Sequence, residues 1–436
     1  MSSKANTRAN FAITRRSFMA GATTLAASGL ARSAFSADAE KRIKVGFISP
    51  RTGALAGFGQ SDGYILEVAR KALASGIDVA GTRYQVDLLD QDTQSDPSRA
   101  GQLAKSLISD SKVDLMLAVS TPEVINPVAD ACEAAGVPCL STVMPWEAWY
   151  FGRGAKPGQP SPFKWTYHFG FGIEQFHQAY LSQWKLLETN RHVGVLYPND
   201  ADGNAFRANL IPLLEKAGFT VTDPGPYENG ISDYTAQIAL FKKNKCEIFH
   251  TVPIPPDFSV FWRQAAQQGY AKRVKICQAA KTGLFPDSIE ALGDLGYNVA
   301  SAAYWHKDFP YKSAVAGISG NELADGYEAA TGKQWTQQLG ASLSLIDAGI
   351  GALKASRSPT DKQAVADALR TLDITTIVGK VDFTRGPVPN VATGPIVGTQ
   401  WVKAKEGSKF KLDYVVTENI NDTSVPVGGR LAAYNQ

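Results

Sequence analysis

Between residues 43 and 141, the apolar positions fall into two alternating rhythms. Short apolar runs at 44–48, 84–89, 114–119 and 138–141 read as strands covered on both faces. Between them the period is helical: Ile65, Val68, Ala69, Ala72 and Leu73 share one face, and Ala100, Leu103, Ala104, Leu107 and Ile108 another. Asp96 followed by Pro97 reads as an N-cap with proline in the first helical turn. Repeated βα units of this kind predict a parallel sheet with helices on both faces. The stretch 45–59 is its first unit. Val45, Phe47 and Ile48 form a strand that Ser49, Pro50 and Gly53 break, and Gly57 and Gly59 leave room for close backbone approach before a helix. Such a strand end is where open α/β sheets receive small ligands, and it is equally an ordinary strand–loop–helix connection.

Residues 145–166 interrupt the rhythm with Pro145, Pro157, Pro160 and Pro162 among Trp146, Trp149, Tyr150, Phe151, Phe163 and Trp165. This reads as a long loop leading into a crossover. A second βα series follows, with strands at 192–197, 220–222, 247–252 and 274–278 and helices at 204–217, 234–243 and 257–268. The last third predicts a strand at 297–305, helices at 323–330, 341–355 and 362–372, and an antiparallel ribbon of 379–384 with 398–402. Two α/β lobes in tandem are the coarse expectation.

Composition changes this picture at the N-terminus. Arg15 and Arg16 precede Ser17, Phe18 and a short, weakly apolar run at 20–30, with small residues around 34–39 that suit cleavage. This is a twin-arginine signal peptide over residues 1–39, too short and polar to span a bilayer. That leader holds five of the 44 basic and one of the 41 acidic residues, so the remainder carries 39 basic and 40 acidic residues. A near-neutral chain without a clustered basic face argues against a nucleic-acid partner. About 397 residues exceed what one core usually serves, so two domains are expected.

Catalytic signatures are missing. There is no GxGxxG, P-loop, HExxH or GxSxG, and no cofactor is expected. The five histidines are scattered, and Asp90 and Asp92 read as a carboxyl-rich strand end more readily than as a cation site. The spacing of Cys132, Cys139, Cys246 and Cys277 fits no zinc motif. They read as buried thiols, with a Cys132–Cys139 bridge as the alternative.

Three runs carry a family resemblance: 45–59, with Thr52, Gly53 and Gly59; 81–92, with Asp96, Pro97 and 112–114; and 131–141, where 134–138 lead into a strand. In order and spacing, with the 379–383 and Trp401 segments, they resemble the periplasmic solute-binding proteins of ABC importers. The resemblance is to the branched-chain amino-acid (leucine/isoleucine/valine) branch and covers nearly the whole chain after the leader. It implies two Rossmann-like lobes, the type I arrangement, joined by three crossings near residues 165, 305 and 375. Residues 43–165 plus 306–374 would form lobe 1, and 166–305 plus 375–436 lobe 2. A solute would bind in the cleft between them, and hinge closure would present the loaded protein to a membrane permease.

The same resemblance implies site residues. Phe58 falls where the family sets an aromatic ring over the ligand. Ser120 and Thr121 match donors for a carboxylate, and residues 142–144, with Thr142 and Met144, match a second donor loop. Asp202 stands where tyrosine is frequent, and Pro253 matches a wall segment. Lys281 departs from the pattern, lying near where amino-acid binders carry an acid for the ligand ammonium. A lysine cannot accept from an ammonium. It would pair with a second ligand carboxylate or point to solvent, which makes an acid without an α-amino group a live option. His168 stands where arginine is common. The aromatic cluster from Trp146 to Phe151 would line a pocket for a flat ligand, or simply pack. The expected activity is non-enzymatic: a monomeric periplasmic receptor for an amino acid or related carboxylate. The alternatives are a sensor that signals to a membrane receptor and an exported α/β hydrolase.

Overall fold

The computed structural model describes residues 41–435. The predicted leader, residues 1–39, lies outside the described residues. Two seven-stranded sheets and one two-stranded ribbon organise the described chain. The first sheet draws on β1 (Arg42–Ser49), β2 (Ile77–Val79), β3 (Thr82–Asp92), β4 (Leu115–Val119), β5 (Cys139–Thr142) and β6 (Thr166–Gly170). The second draws on β7 (His192–Leu196), β8 (Thr220–Thr222), β9 (Ile248–Thr251), β10 (Ile276–Ala279) and β11 (Val299–Ala303). After these come β12 (Asp373–Thr376), β13 (Gly379–Asp382), β14 (Val391–Thr393), β15 (Val397–Lys403) and β16 (Leu412–Glu418).

Strand order in the first sheet is β14-β6-β5-β4-β1-β3-β2, and in the second β16-β15-β11-β10-β9-β7-β8. The central strands are parallel, and β2, β15 and β16 add antiparallel edges. Each order reverses at one place, between β1 and β4 and between β7 and β9, because the following strand pairs on the opposite side. Crevices open at such reversals beyond the carboxyl ends of the strands. Two such sheets, each with its own reversal, form the two-lobed α/β arrangement expected from the sequence.

The lobe boundaries differ from those expected. β6 pairs with β5, so residues 166–170 belong to the first sheet and the first crossing lies at 171–172 rather than 165. β14 runs parallel to β6, so the chain stays with lobe 1 until about residue 394 instead of leaving at 375. The predicted ribbon of 379–384 with 398–402 does not form. β13 pairs with β12, and β15 pairs with β11 and β16. The reason is packing: the Ile374 side chain of β12 lies against Gly351 of the buried helix Gln338–Ala355, which holds this ribbon on lobe 1.

That helix is buried on nearly every face. Gly349 lets Leu117 of β4 pack against its backbone, and Gly340 receives the Trp305 ring. Its Asp347 accepts from Ser313 Oγ at 2.6 Å, Val315 N at 2.8 Å and Ile377 N at 3.3 Å. One carboxylate thus ties the lobe-1 helix to two connecting segments. Elsewhere local chemistry sets the ends. Asp96 accepts from Arg99 N at 2.9 Å, Ser319 and Glu322 form a capping box, and Gly136 closes the helix Pro122–Ala135 at φ +66°. All four cysteines are buried and unbridged.

Asp62, at the start of the helix Asp62–Ala72, is buried and accepts from Ser342 Oγ at 2.6 Å. Burial pushes its carboxyl up to about 7, against the hydrogen bonds of Ser342 and Ser49 and the charge of Arg51, with Asp90 adding to the rise. A raised carboxyl binds a proton in the fold that the unfolded chain has already released. Its stabilising effect is complete below about pH 4, declines as pH rises and is lost above about 7. Asp62→Asn is therefore expected to gain on the wild type by roughly 1 kcal/mol per pH unit across that window. Urea midpoints from pH 4.5 to 8 check this; parallel curves for the two proteins would refute it.

Candidate functional site

The strand ends of both sheets converge on one small pocket with a cavity volume of about 40 Å³. Lobe 1 contributes Phe58 from the turn after β1, Thr121 after β4 and Val143 after β5. Lobe 2 contributes Asp202 after β7, Val252 after β9 and Lys281 after β10. Phe171, Phe176, Phe206 and Tyr304 complete a mostly apolar, aromatic wall. Gly57 and Gly59 allow this geometry. A Cβ at Gly59 would lie 2.6 Å from the Pro50 carbonyl oxygen, and one at Gly57 would lie 3.1 Å from the Phe285 ring. Phe58 meets Phe285 edge-on across the cleft, with ring centroids 4.8 Å apart. The lobes are closed on one another here.

The loops after β4 and β5 are strained. Ser120 has φ +132° and the β-branched Val143 has φ +84°. Non-glycine residues hold such conformations at a cost of about 1–3 kcal/mol each, and these concentrate at ligand clamps. The Ser120 and Thr121 hydroxyls are buried without a hydrogen-bond partner, and Thr121 is the N-cap of the helix Pro122–Ala135. Thr142 Oγ1 lies 3.1 Å from the Tyr304 hydroxyl, and Gln337 Oε1 accepts from Tyr304 N at 2.8 Å.

The charged group of the pocket is Lys281. It does not point to solvent, and its ammonium is ion-paired within the protein while keeping donors without a hydrogen-bond acceptor. It is buried, with its ammonium 2.7 Å from Asp202 and 3.6 Å from Asp200. Burial works against the lysine charge, but Asp200 and Asp202, with Glu123 from lobe 1, outweigh it and hold the proton. Asp202 is pushed up to about 7 by burial, with Lys281 opposing and Asp200 and Glu123 adding to the rise. Asp200 also caps the helix Ala201–Lys216, accepting from Gly203 N at 2.7 Å. The backbone that carries Asp202 is thereby fixed.

Four of the expected residues, Phe58, Thr121, Asp202 and Lys281, line this pocket. Ser120 and Thr142 are buried but do not line it; Thr142 reaches it only through its contact with Tyr304. Met144 does not line it: alternation along the chain turns Val143 inward, and the Met144 carbonyl lies 3.0 Å from His168 Nε2. Pro253 is replaced by Val252, and its carbonyl accepts from the Thr282 hydroxyl at 3.1 Å. Trp146 is a packing residue, its ring against Tyr150 and Phe151 and its edge filling the space beside Gly172. His168 is buried between Ser141 and Met144, and burial lowers it to about 3, so it stays neutral and off the pocket. Asp90 pairs with Arg51 and Arg70, and Asp92 accepts from the Thr52 hydroxyl at 2.7 Å, so both are structural. Phe176, Phe206, Tyr304 and Gln337 were missed. In sequence, Phe176 and Phe206 are ordinary apolar helix positions, and nothing local distinguishes them from core.

The comparisons agree with this architecture. An uncharacterized protein of Methanocaldococcus jannaschii is 24% identical over 199 residues, 45% of this chain and 46% of that protein. The chain thus spans under half the length of that curated relative. The leucine-binding protein LivK of Thermotoga maritima superposes with a TM-score of 0.67 at 18% identity, covering 87% of this chain and 99% of that one. An ABC-transporter solute-binding protein of Rhodopseudomonas palustris BisB5, in complex with 3,4-dihydroxybenzoic acid, gives 0.69 at 18%, with coverages of 89% and 99%. With its residues 42–406 matching the family profile and its two sheets closing on one shared pocket, the chain belongs to the periplasmic binding protein family.

Proposed function

We propose that this protein is the periplasmic receptor of an ABC importer, exported by the twin-arginine route. It closes as a monomer around a small, largely apolar organic acid or amino acid and delivers it to a membrane permease. One observation carries the reading. A pocket shared by both lobes is walled by aromatic side chains, yet holds the buried Thr121 hydroxyl and a carboxylate oxygen of Asp202 without partners. Unmet buried polar groups cost about 1–3 kcal/mol each, and a solute with matching groups removes that cost only in the closed state. The two structural relatives named above, one leucine-binding and one bound to an aromatic acid, support a solute of this size and polarity.

A thermal-shift screen of the purified protein against amino acids, aromatic acids and aliphatic acids tests the reading. A true ligand at about 100 times its Kd stabilises the native state by roughly 2.7 kcal/mol, a readily measured rise in Tm. No rise with any of these classes would overturn the reading.

A further inference from the structure

Asp202, which lines the pocket, and the carboxylates near it, Asp200 and Asp257, differ in how fully they are used. Asp200 spends Oδ1 on Gly203 N at 2.7 Å, while its Oδ2 lies 3.3 Å from Asn229 Nδ2 and 3.6 Å from Lys281. Asp257, nearby, accepts from Gly230 N at 3.1 Å with each of its oxygens. These are structural carboxylates. Asp202 is different. Its Oδ2 is held by Lys281 at 2.7 Å, but its Oδ1 is buried and has no donor. The residue is 3% exposed and lines the pocket, beside walls that offer mostly ring carbons.

This arrangement is an oriented acceptor. Lys281 fixes the carboxylate in one rotation and leaves one oxygen for whatever fills the pocket. Lys281 also balances the Asp202 charge, while Asp200 and Glu123 keep the surroundings acidic. A neutral hydroxyl and an ammonium are both compatible with that field. An acid lacking any donor would set its own oxygens against Asp202 Oδ1, leaving acceptors opposed in a water-poor site. We infer that Asp202, oriented by Lys281, is the specificity-determining acceptor of the pocket, selecting acids that carry an O–H or N–H donor over donor-free acids of the same shape. This rests on the solute-receptor reading.

Matched ligand sets test it by calorimetry on the wild-type protein at pH 8.5, where the Asp202 carboxyl, raised to about 7, is ionised and can only accept. One set is leucine, 2-hydroxy-4-methylpentanoate and 4-methylpentanoate; the other is 4-hydroxybenzoate and benzoate. In the set that binds, a donor-bearing member is expected to bind at least about tenfold tighter than its donor-free partner. Whether the amino or the hydroxy member leads identifies the donor as ammonium or hydroxyl, and either order supports the inference. In Asp202→Asn, Lys281 claims the carbonyl oxygen and turns the amide N–H groups to the pocket, so the preference should collapse to within about twofold. Equal affinity for donor-bearing and donor-free acids in the wild type overturns the inference and leaves the receptor reading standing. So does an Asp202→Asn variant that weakens both members of a set equally. Should that variant fail to fold, the wild-type ratio still decides. Silence across both sets and the wider screen overturns the receptor reading itself.

Discussion

Lys281→Met is expected to destabilise the protein by about 3–5 kcal/mol at pH 8, the usual cost of removing one partner from a buried ion pair. The lysine holds Asp202 at 2.7 Å and Asp200 at 3.6 Å, and both it and Asp202 are buried. Methionine keeps the length of the stem but leaves two carboxylates facing each other, with Glu123 nearby. Asp202 is already raised to about 7 by its burial. Without the ammonium it rises further and escapes the penalty by taking up a proton. The loss should therefore be smaller at pH 5.5 than at pH 8, since a carboxyl raised in the fold costs nothing at low pH and its full penalty only above its folded pKa. Denaturant titrations at the two pH values measure this. Lys281→Met with Asp202→Asn should recover much of the loss, because an uncharged pair needs no counter-ion. A single variant whose deficit is independent of pH, and is not relieved in the double variant, would assign the effect to packing instead.

Asp347→Ala should cost a similar amount by a different route. Its carboxylate, raised by burial to about 6, is the shared acceptor for Ser313 Oγ, Val315 N and Ile377 N. Alanine leaves these donors without that acceptor, at about 1–3 kcal/mol for each that stays buried and unmet. The expected total is about 3–5 kcal/mol. Because those donors lie on two connecting segments, the damage should be local first. Hydrogen exchange at residues 313–318 and 376–379 should speed up more than in the central strands. Asp347→Asn keeps one acceptor oxygen and should cost less. Unchanged exchange in both segments would show that Asp347 does not hold them.

The parts of the site that were legible in sequence lie at the ends of strongly patterned strands. Phe58 follows the apolar run of β1, and Thr121 and Lys281 follow β4 and β10, so the positions that the family resemblance implies coincide with patterned strand ends. Asp202 was placed by the family resemblance, but its partner was not. That Lys281 pairs within the protein depends on β7 and β10 both sitting in one sheet with β9 between them. At the Met144 and Pro253 loops the inward-facing side chain is one residue earlier, Val143 and Val252, because which side chain faces in turns on where the preceding strand ends. Trp146 packs away from the pocket. An aromatic cluster carries the same local signal whether it faces a solute or Gly172 and Tyr150.

By itself the sequence determined the alternation of strands and helices and the two-lobed α/β class. Apolar periodicity is a local property, and buried parallel strands admit little else. Capping residues such as Asp96 and Ser319 likewise act within one turn of chain. Tertiary structure decided which lobe each late segment joins. β14 runs parallel to β6 across 222 residues of chain, and Ile374 docks on Gly351, contacts that no local pattern encodes. It also decided the electrostatics of the pocket. Asp202, Lys281 and Glu123 are unremarkable charges until two sheets bury them together, because the price of a buried charge depends on its surroundings rather than on its neighbours in sequence.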